Sequence, residues 1–81
     1  MKIRVKFFAI LRERAGTSMA IKELANGSTV ADLWRELQKD YIKLDVPGIR
    51  LLYAVNQNYV SLDHVLKDQD EVVFIPPVSG G

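Results

Sequence analysis

The chain has 81 residues, of which 48% are hydrophobic and 26% are charged, and its formal net charge is +1. These values predict a single globular domain, and the near-neutral charge gives no basis for nucleic-acid binding, which calls for a basic patch. Because no apolar run reaches membrane-spanning length and basic residues interrupt the first 20 positions, we expect a cytoplasmic protein with no membrane partner.

The first quarter of the chain predicts two strands joined by a helical turn. Apolar residues alternate with polar ones along the first strand: Ile3, Val5 and Phe7. This period of two is typical of a strand with one buried face. Residues 9–16 are too many for a tight hairpin and predict a helical turn that ends at Gly16. Residues 17–24 alternate again, with Met19 and Ile21 apolar, and predict a second strand that is antiparallel to the first.

A helix that begins after Thr29 is the clearest prediction. Its apolar residues form one stripe at helical spacing: Val30, Leu33, Trp34, Leu37 and Tyr41. Thr29 stands at the N-cap position with Asp32 three residues later, which is a weaker relative of the capping box. Because Trp34 lies on so regular a stripe, we interpret it as a core residue.

The second half of the chain predicts three further strands. Residues 51–60 read as a strand, a turn and a short strand. We expect one helical turn over residues 61–66, a turn at residues 68–70 and a last strand at residues 71–75, which are rich in β-forming side chains. The predicted order is therefore strand, strand, helix, strand, short strand, strand.

A single helix cannot cover both faces of a sheet of four or five strands, so one face must be polar or occupied by a partner. Alternation along the last strand places Ile75 on that open face, and Phe8 and Tyr59 are further candidates. Together they would form an exposed apolar patch of the kind that binds partners. The alternative, that one or two of them fill the edge of the core, fits the sequence equally well.

The side chains offer no constellation for catalysis. Cysteine is absent, which excludes disulfides and thiolate chemistry. His64 is the only histidine, has no second histidine for a metal site or triad, and is expected to face solvent. Asp68, Asp70 and Glu71 lack the spacing of a calcium loop and predict a solvated acidic turn. No phosphate-binding or dinucleotide motif is present.

Residues 76–81, Pro-Pro-Val-Ser-Gly-Gly, predict a flexible tail after a domain that spans residues 1–75. The prolines end the last strand, and the two glycines leave a thread that can enter a passage closed to any Cβ. Fully extended, six residues reach roughly 20 Å, so the terminal carboxylate could react outside its own domain. Activated by another enzyme, it could pass to a lysine amine or to sulfur, whereas a frayed and inert terminus is the plain alternative.

The tail belongs to a wider resemblance. Three stretches match. The first is Val-Lys-Phe-Phe-Ala at 5–9, followed by Arg-Glu at 12–13, and the second is Ala-Val-Asn-Gln at 54–57, followed by residues 60–61 and 63–64. The third comprises residues 70–72, Phe74 and residues 76–81. They resemble the small subunit of molybdopterin synthase, the MoaD-type sulfur carrier of the ubiquitin-like β-grasp family. The resemblance implies an α+β fold with a mixed four- to five-stranded sheet packed on one main helix. Gln69 departs from the family, which commonly has glycine between two acidic residues at this turn.

The resemblance implies a carrier that binds no cofactor and is not an enzyme on its own. In this family an E1-like, MoeB-type enzyme uses ATP to adenylate the terminal glycine, and a sulfur donor protein then supplies the sulfur of a thiocarboxylate. The tail enters the large, MoaE-type subunit and gives its sulfur to cyclic pyranopterin monophosphate. By position, Gly81 is the carrier and Gly80 the slim link before it. The partner-binding candidates are Phe8, Tyr59, Ile75, Pro76, Pro77, Val78 and Ser79.

Three other functions remain open at this point. A thiamine-pathway sulfur carrier would share the fold, the tail and the adenylation, although such chains look shorter and lack the Phe-Phe opening. A protein modifier would end with Gly81 in an isopeptide bond to lysine. A plain interaction domain would have an inert terminus.

Overall fold

The computed structural model describes residues 1–45 and 50–76. In this part of the chain the elements are β1 Lys2–Phe7, α1 Ile10–Ala15, β2 Met19–Glu23, α2 Val30–Asp40, β3 Leu52–Val55, β4 Asn58–Val60 and β5 Glu71–Ile75, with a 3₁₀ helix at Ile42–Leu44. The predicted order of strands and main helix is confirmed, and α1 ends, as expected, at a left-handed Gly16. Within these ranges no helix is both long enough and apolar enough to cross a membrane.

The strands form one mixed sheet in the order β2-β1-β5-β3-β4. β1 and β5 are parallel neighbours at its centre, where Val5 pairs with Val72 and Phe7 with Phe74. The other three pairs are antiparallel. α2 packs on one face of this sheet, so the predicted α+β architecture of a mixed sheet on one main helix is confirmed, with five strands.

α2 begins with a complete capping box, which is stronger than the relative of it predicted from Thr29 and Asp32. The Thr29 hydroxyl accepts a hydrogen bond from the Asp32 amide at 3.2 Å, and the Asp32 carboxylate accepts one from the Thr29 amide at 2.9 Å. Two of the amides that a helix leaves without partners at its N-terminus are thereby satisfied. The helix presents its apolar stripe to the sheet, where Val30, Leu33 and Leu37 are fully buried.

The core lies between α2 and the centre of the sheet. Alternation places Ile3, Val5 and Phe7 of β1 in it, beside Val72 and Phe74 of β5. The Trp34 ring packs 4.8 Å from the Phe74 ring, and the Tyr41 ring meets Phe7 edge-on at 5.8 Å, measured between centroids. The interpretation of Trp34 as a core residue is therefore confirmed. Each large apolar side chain buried here contributes about 1.5–3 kcal/mol.

The apolar residues of β2 face away from α2. Met19 and Ile21 are 50% and 60% exposed, whereas the half-buried Ala20 and Lys22 lie on the helix side. The Lys22 ammonium pairs with the Asp40 carboxylate at the end of α2, so the lysine stem covers this edge of the core. Alternation in the sequence located the strand, but its register with β1, in which Ala20 and Lys22 lie opposite the buried Val5 and Ile3, turns Met19 and Ile21 to the other face.

The helical turn predicted over residues 61–66 is wrong. The His64 amide donates to the Ser61 carbonyl at 3.1 Å in a single turn, and the segment does not continue as a helix. Instead, the carbonyls of Leu62 and His64 accept hydrogen bonds from the first two amides of α2, at 2.9 and 3.0 Å. The unsatisfied donors at the N-terminus of α2 recruit this segment, and such a long-range contact leaves no local pattern.

The turn predicted at residues 68–70 is confirmed, but the prediction of a fully solvated acidic turn is wrong. Asp70 is only 8% exposed, and its carboxylate accepts hydrogen bonds from the Asn56 side-chain amide at 2.9 Å and the Lys67 amide at 2.8 Å. The Gln69 amide donates to the Lys2 carbonyl at 2.7 Å. Asp70 therefore joins the turn before β5 to the turn between β3 and β4.

Gln69 offers a test of this turn, because its φ of 70° lies in the left-handed region. We expect Gln69→Gly to raise the free energy of unfolding by about 0.5–1 kcal/mol, since relief of about 1–2 kcal/mol of backbone strain exceeds the entropy cost of glycine. Urea unfolding followed by Trp34 fluorescence measures the change. The matched control, Gln38→Gly inside α2, should lose about 1 kcal/mol. A loss of stability on Gln69→Gly would contradict the explanation.

Two exposed carboxylates are expected to make the stability of the protein depend on pH in acid. Hydrogen bonds from the Thr29 amide and hydroxyl lower the pKa of Asp32, and a hydrogen bond from the Lys2 amide lowers the pKa of Asp68. Because the folded pKa lies below the unfolded value of about 3.9, the stabilisation is complete above that value and is lost as the pH falls through the folded pKa. We therefore expect the free energy of unfolding to decrease once the pH is lower than about 4.

The double variant Asp32→Asn, Asp68→Asn should be less stable than the parent at neutral pH and show a shallower loss in acid. Urea unfolding between neutral and acid pH measures both effects. If the free energy of unfolding decreases with falling pH as steeply in the double variant as in the parent, other carboxylates cause the loss of stability in acid.

Candidate functional site

The described residues hold no catalytic constellation. Across residues 1–45 and 50–76, no group of three or more metal-ligating side chains is placed to hold an ion. His64 is exposed, as predicted, and contributes its backbone carbonyl to the start of α2. The Asp70 carboxylate is occupied by hydrogen bonds within the fold. The remaining candidate features are the exposed face of the sheet and the end of β5, where residues 76–81 begin.

The face of the sheet that is turned away from α2 is here called the open face. Strand register aligns its side chains in rows across the sheet. One row consists of Met19, Lys6, Val73, Ala54 and Tyr59. The next row, towards the end of β5, consists of Phe8, Ile75 and Leu52, because Phe8 follows the residue that pairs with Phe74. Six apolar side chains on β5, β3 and β4 and directly after β1 lie together in these rows, and we call them the apolar patch: Phe8, Leu52, Ala54, Tyr59, Val73 and Ile75.

The structure brings the three predicted partner-binding residues of the domain to this one face. Phe8 is 48% exposed and Tyr59 is 72% exposed, whereas Ile75 is half-buried between its strand neighbours. None of the three points into the core beneath α2. Their placement satisfies the condition for a docking surface, and their contact with a partner stays a prediction.

Phe8 is held in place by the backbone on both sides of it. Phe7 before it is 1% exposed, and the Phe8 carbonyl accepts a hydrogen bond from the amide of the fully buried Leu11 at 3.1 Å. Ala9 turns the chain out of β1 with a φ of 53°, which is rare for a residue with a Cβ. The exposed phenyl ring thus stands on a constrained turn and is not part of a loose loop.

Leu52 is a member of the apolar patch that sequence reasoning missed. It is 52% exposed, and its neighbour in the register is Ile75. The usable signal was the antiparallel pairing of β3 with β5, because alternation from the buried Val55 places Leu52 on the open face. A groove beside the patch is lined by Leu51, Leu52, Tyr53, Tyr59 and Val60 and continues the apolar surface around the β4 edge.

The tail begins beside the apolar patch. β5 ends at Ile75 between β1 and β3, and Pro76, the last described residue, is buried. Proline has no amide hydrogen for the sheet and a fixed φ, so it ends the ladder and sets the direction in which the chain leaves. The predicted contacts Pro77, Val78 and Ser79, the link Gly80 and the carrier Gly81 lie outside the described residues.

The charges on the open face are largely matched by neighbours within the chain. The Lys6 ammonium lies 3.5 Å from the Glu71 carboxylate, and the Arg4 guanidinium donates to the Gln69 carbonyl at 3.4 Å. Such exposed pairs contribute little to stability, typically less than about 1 kcal/mol. They do separate the apolar patch from the β2 edge of the sheet.

Comparison with known proteins gives the family. Residues 5–81 match the model of the ThiS family. The molybdopterin synthase sulfur carrier subunit of Escherichia coli (strain K12) is 47% identical, over 98% of this chain and 99% of that protein. The protein of the same name from Chlamydomonas reinhardtii is 40% identical over the full length of both chains.

A solved structure agrees with the fold. SAMP1 of Haloferax volcanii superposes with a TM-score of 0.91 and 25% identity, and the match covers all of both chains. The five-stranded sheet on one main helix is therefore the ubiquitin-like β-grasp that the sequence resemblance implied. On both sequence and structure, the chain belongs to the ThiS family, and within it to the family of the molybdopterin synthase sulfur carrier subunits.

Proposed function

We propose that this chain is the sulfur carrier of a molybdopterin synthase and that its C-terminal Gly81 holds the sulfur as a thiocarboxylate. The observation that carries the proposal is that the family match runs through Gly81, while the described side chains provide no catalytic group. The two named relatives match over essentially their whole length, which favours their function over that of a thiamine-pathway carrier.

The chemistry must come from the terminus, because a carboxylate is a poor electrophile until it is activated. The Gly81 carboxylate attacks the α-phosphate of ATP on an E1-like enzyme, which gives an acyl-adenylate and releases pyrophosphate. Hydrosulfide supplied by a donor protein then attacks the acyl carbon: the C–S bond forms as the C–O bond to AMP breaks, AMP leaves with the electron pair, and loss of the thiol proton gives the thiocarboxylate. With glycine at this position the attacking group meets no side chain, and the absence of cysteine keeps the chain from competing for the sulfur.

Delivery of the sulfur requires a partner that receives the tail. We propose that the large, MoaE-type subunit docks on the apolar patch and takes the tail into its own active site, where the sulfur passes to cyclic pyranopterin monophosphate. The patch lies next to the end of β5, so a partner bound there is within reach of a tail that spans roughly 20 Å when extended. The activating enzyme must reach the same terminus in a separate encounter.

One alternative has a specific observation in its favour. The fold superposes closely on SAMP1, a small archaeal modifier protein, and a modifier would transfer activated Gly81 to a lysine amine. The two functions share the adenylate and differ in the nucleophile that attacks it. Slow-migrating conjugates that require Gly81 would support the modifier.

The mass of the intact protein tests the proposed chemistry. After incubation with ATP, an E1-like enzyme and a sulfur source, we expect a gain equal to one oxygen replaced by one sulfur. A chain that lacks Gly81 should show no gain and should keep the unfolding curve of the parent, because the core cluster described above is built from residues between Ile3 and Phe74. If active enzyme and donor produce no gain in the full chain, the carrier proposal fails.

The Phe8→Asp variant tests the docking surface. A carboxylate buried in an apolar interface is costly, so we expect binding to the large subunit to weaken by about 10- to 100-fold while the domain stays folded. Titration calorimetry measures the affinity, and circular dichroism verifies the fold. The matched control is Ile42→Asp, an 80% exposed residue of the 3₁₀ helix outside the open face, which should bind normally. Loss of soluble protein on Phe8→Asp would instead assign Phe8 to the core.

A further inference from the structure

β2 is an edge strand, and within residues 1–45 and 50–76 no other strand pairs with its outer side. Two hydrogen bonds at the ends of the β1–β2 ladder show which residues of this strand face β1. The Phe7 amide donates to the Ser18 carbonyl at 3.0 Å, and the Leu24 amide donates to the Met1 carbonyl at 2.9 Å. In an antiparallel pair the hydrogen-bonded positions alternate. The amides and carbonyls of Met19, Ile21 and Glu23 therefore point away from β1, at the open edge of the sheet.

The side chains of this edge favour pairing. Met19 and Ile21 are 50% and 60% exposed, and both stand on the open face. Natural sheets commonly protect such edges with a charged side chain, above all lysine. Here the one lysine of the strand, Lys22, points to the other face and is paired with Asp40. The edge thus shows an apolar surface at Met19 and Ile21, and its one charged side chain on the open face, Glu23, stands at the end of the strand.

The opposite edge of the sheet is different. β4 has three residues, Asn58–Val60, whereas β2 has five. Its exposed aromatic residue, Tyr59, belongs to the apolar patch beside the tail. A strand that pairs with the β2 edge extends the sheet sideways and does not lie over its open face, so an occupant of β2 would leave the patch uncovered.

We propose that the β2 edge binds the β2 edge of a second copy of this chain, antiparallel and centred on Ile21. Ile21 then exchanges both backbone hydrogen bonds with Ile21 of the second copy. Met19 lies opposite Glu23 of the second copy, and Ala20 lies opposite Lys22, so no like charges face each other. A register centred on Glu23 would place two carboxylates opposite each other, which is destabilising.

The Thr17 hydroxyl already makes hydrogen bonds to the backbone of Met19, the first residue of β2. It donates to the Met19 carbonyl at 2.9 Å and accepts from the Met19 amide at 3.4 Å. A carbonyl oxygen has two lone pairs, so it can accept a second hydrogen bond while the first persists. The hydrogen bond from the Met19 amide to the Thr17 hydroxyl is long. In the pair, the Met19 amide donates instead to the carbonyl of Glu23 in the second copy. In the described part of the chain, the amide and carbonyl of Ile21 have no such competitor.

The paired molecule is a continuous ten-stranded sheet with both open faces on one side. Its two apolar patches lie at opposite ends and stay accessible, so two tails are carried by one particle. Each chain contributes one strand of five residues to the contact, whereas stable complexes bury roughly 1,200 Å² or more, so we expect pairing to be concentration-dependent and seen only at high protein concentration.

A single cysteine gives the sharpest test, because the natural chain has none. In the proposed register the two Ile21 Cα atoms lie about 5.5 Å apart, within the range of a disulfide. We expect Ile21→Cys to form a disulfide-linked dimer at least about tenfold faster than the control Tyr59→Cys, since pairing raises the local thiol concentration. Tyr59 is the more exposed of the two, at 72% against 60%. Equal rates would overturn the proposal.

Proline provides the second arm of the experiment. Because the Ile21 amide points away from β1, Ile21→Pro keeps the ladder of the folded chain and removes the donor at the centre of the pairing. In sedimentation equilibrium up to about 1 mM, the wild-type mass should rise towards twice that of one chain, while the proline variant stays at the mass of one chain. A wild-type chain that remains single at this concentration, including one whose edge pairs only with a different protein, would overturn the inference.

Discussion

The parallel pairing of β1 with β5 is the contact on which the rest of the structure depends. It joins Arg4–Phe7 to Glu71–Phe74 and places Phe7 beside Phe74 at the centre of the sheet. Trp34 and Tyr41 of the α2 region pack on these two rings, so the helix and both ends of the described chain meet in one cluster. The same pairing puts the end of β5 between β1 and β3, and with it the beginning of the tail.

The two faces of the sheet have different tasks. The face beneath α2 supplies stability through fully buried residues such as Val5 and Val72. The open face contributes little to the core and can accept substitutions that the other face cannot. The docking surface proposed for Phe8, Leu52 and Tyr59 can therefore coexist with a small core, because these exposed residues are not the ones buried beneath α2. Lys22 marks the boundary, since its stem covers the core and its charge is neutralised by Asp40.

Much of the fold could be predicted from the sequence, because its strongest patterns are local. The stripe on α2, the alternation in β1 and β5 and the stop at Gly16 each follow from residues close together in the chain. The features that escaped prediction depend on distant contacts. Residues 61–66 are not helical because their carbonyls serve α2, and Asp70 is buried because Asn56, in another turn, donates to it.

The candidate site divides in the same way. Alternation placed Ile75 on the open face and left Phe8 and Tyr59 as candidates for it, whereas Leu52 required the register of β3 against β5. The role proposed for Gly81 rests on the resemblance and on the chemistry of a bare terminus. No side-chain pattern within the domain would have indicated it, since the domain contributes a surface and a point of departure for the tail.

The position of β5 also has a consequence for synthesis. A ribosome delivers β1 first and β5 last, and Phe7 has no partner on its β5 side until Phe74 emerges. The earlier segments can form a helix and a hairpin, but the centre of the sheet stays open until then, because its closing contact spans nearly the whole chain. A product cut short before β5 has an incomplete core and is exposed to proteolysis. We therefore expect folding to act as a length check, because the core is complete only after the strand that leads to residues 76–81 has been made.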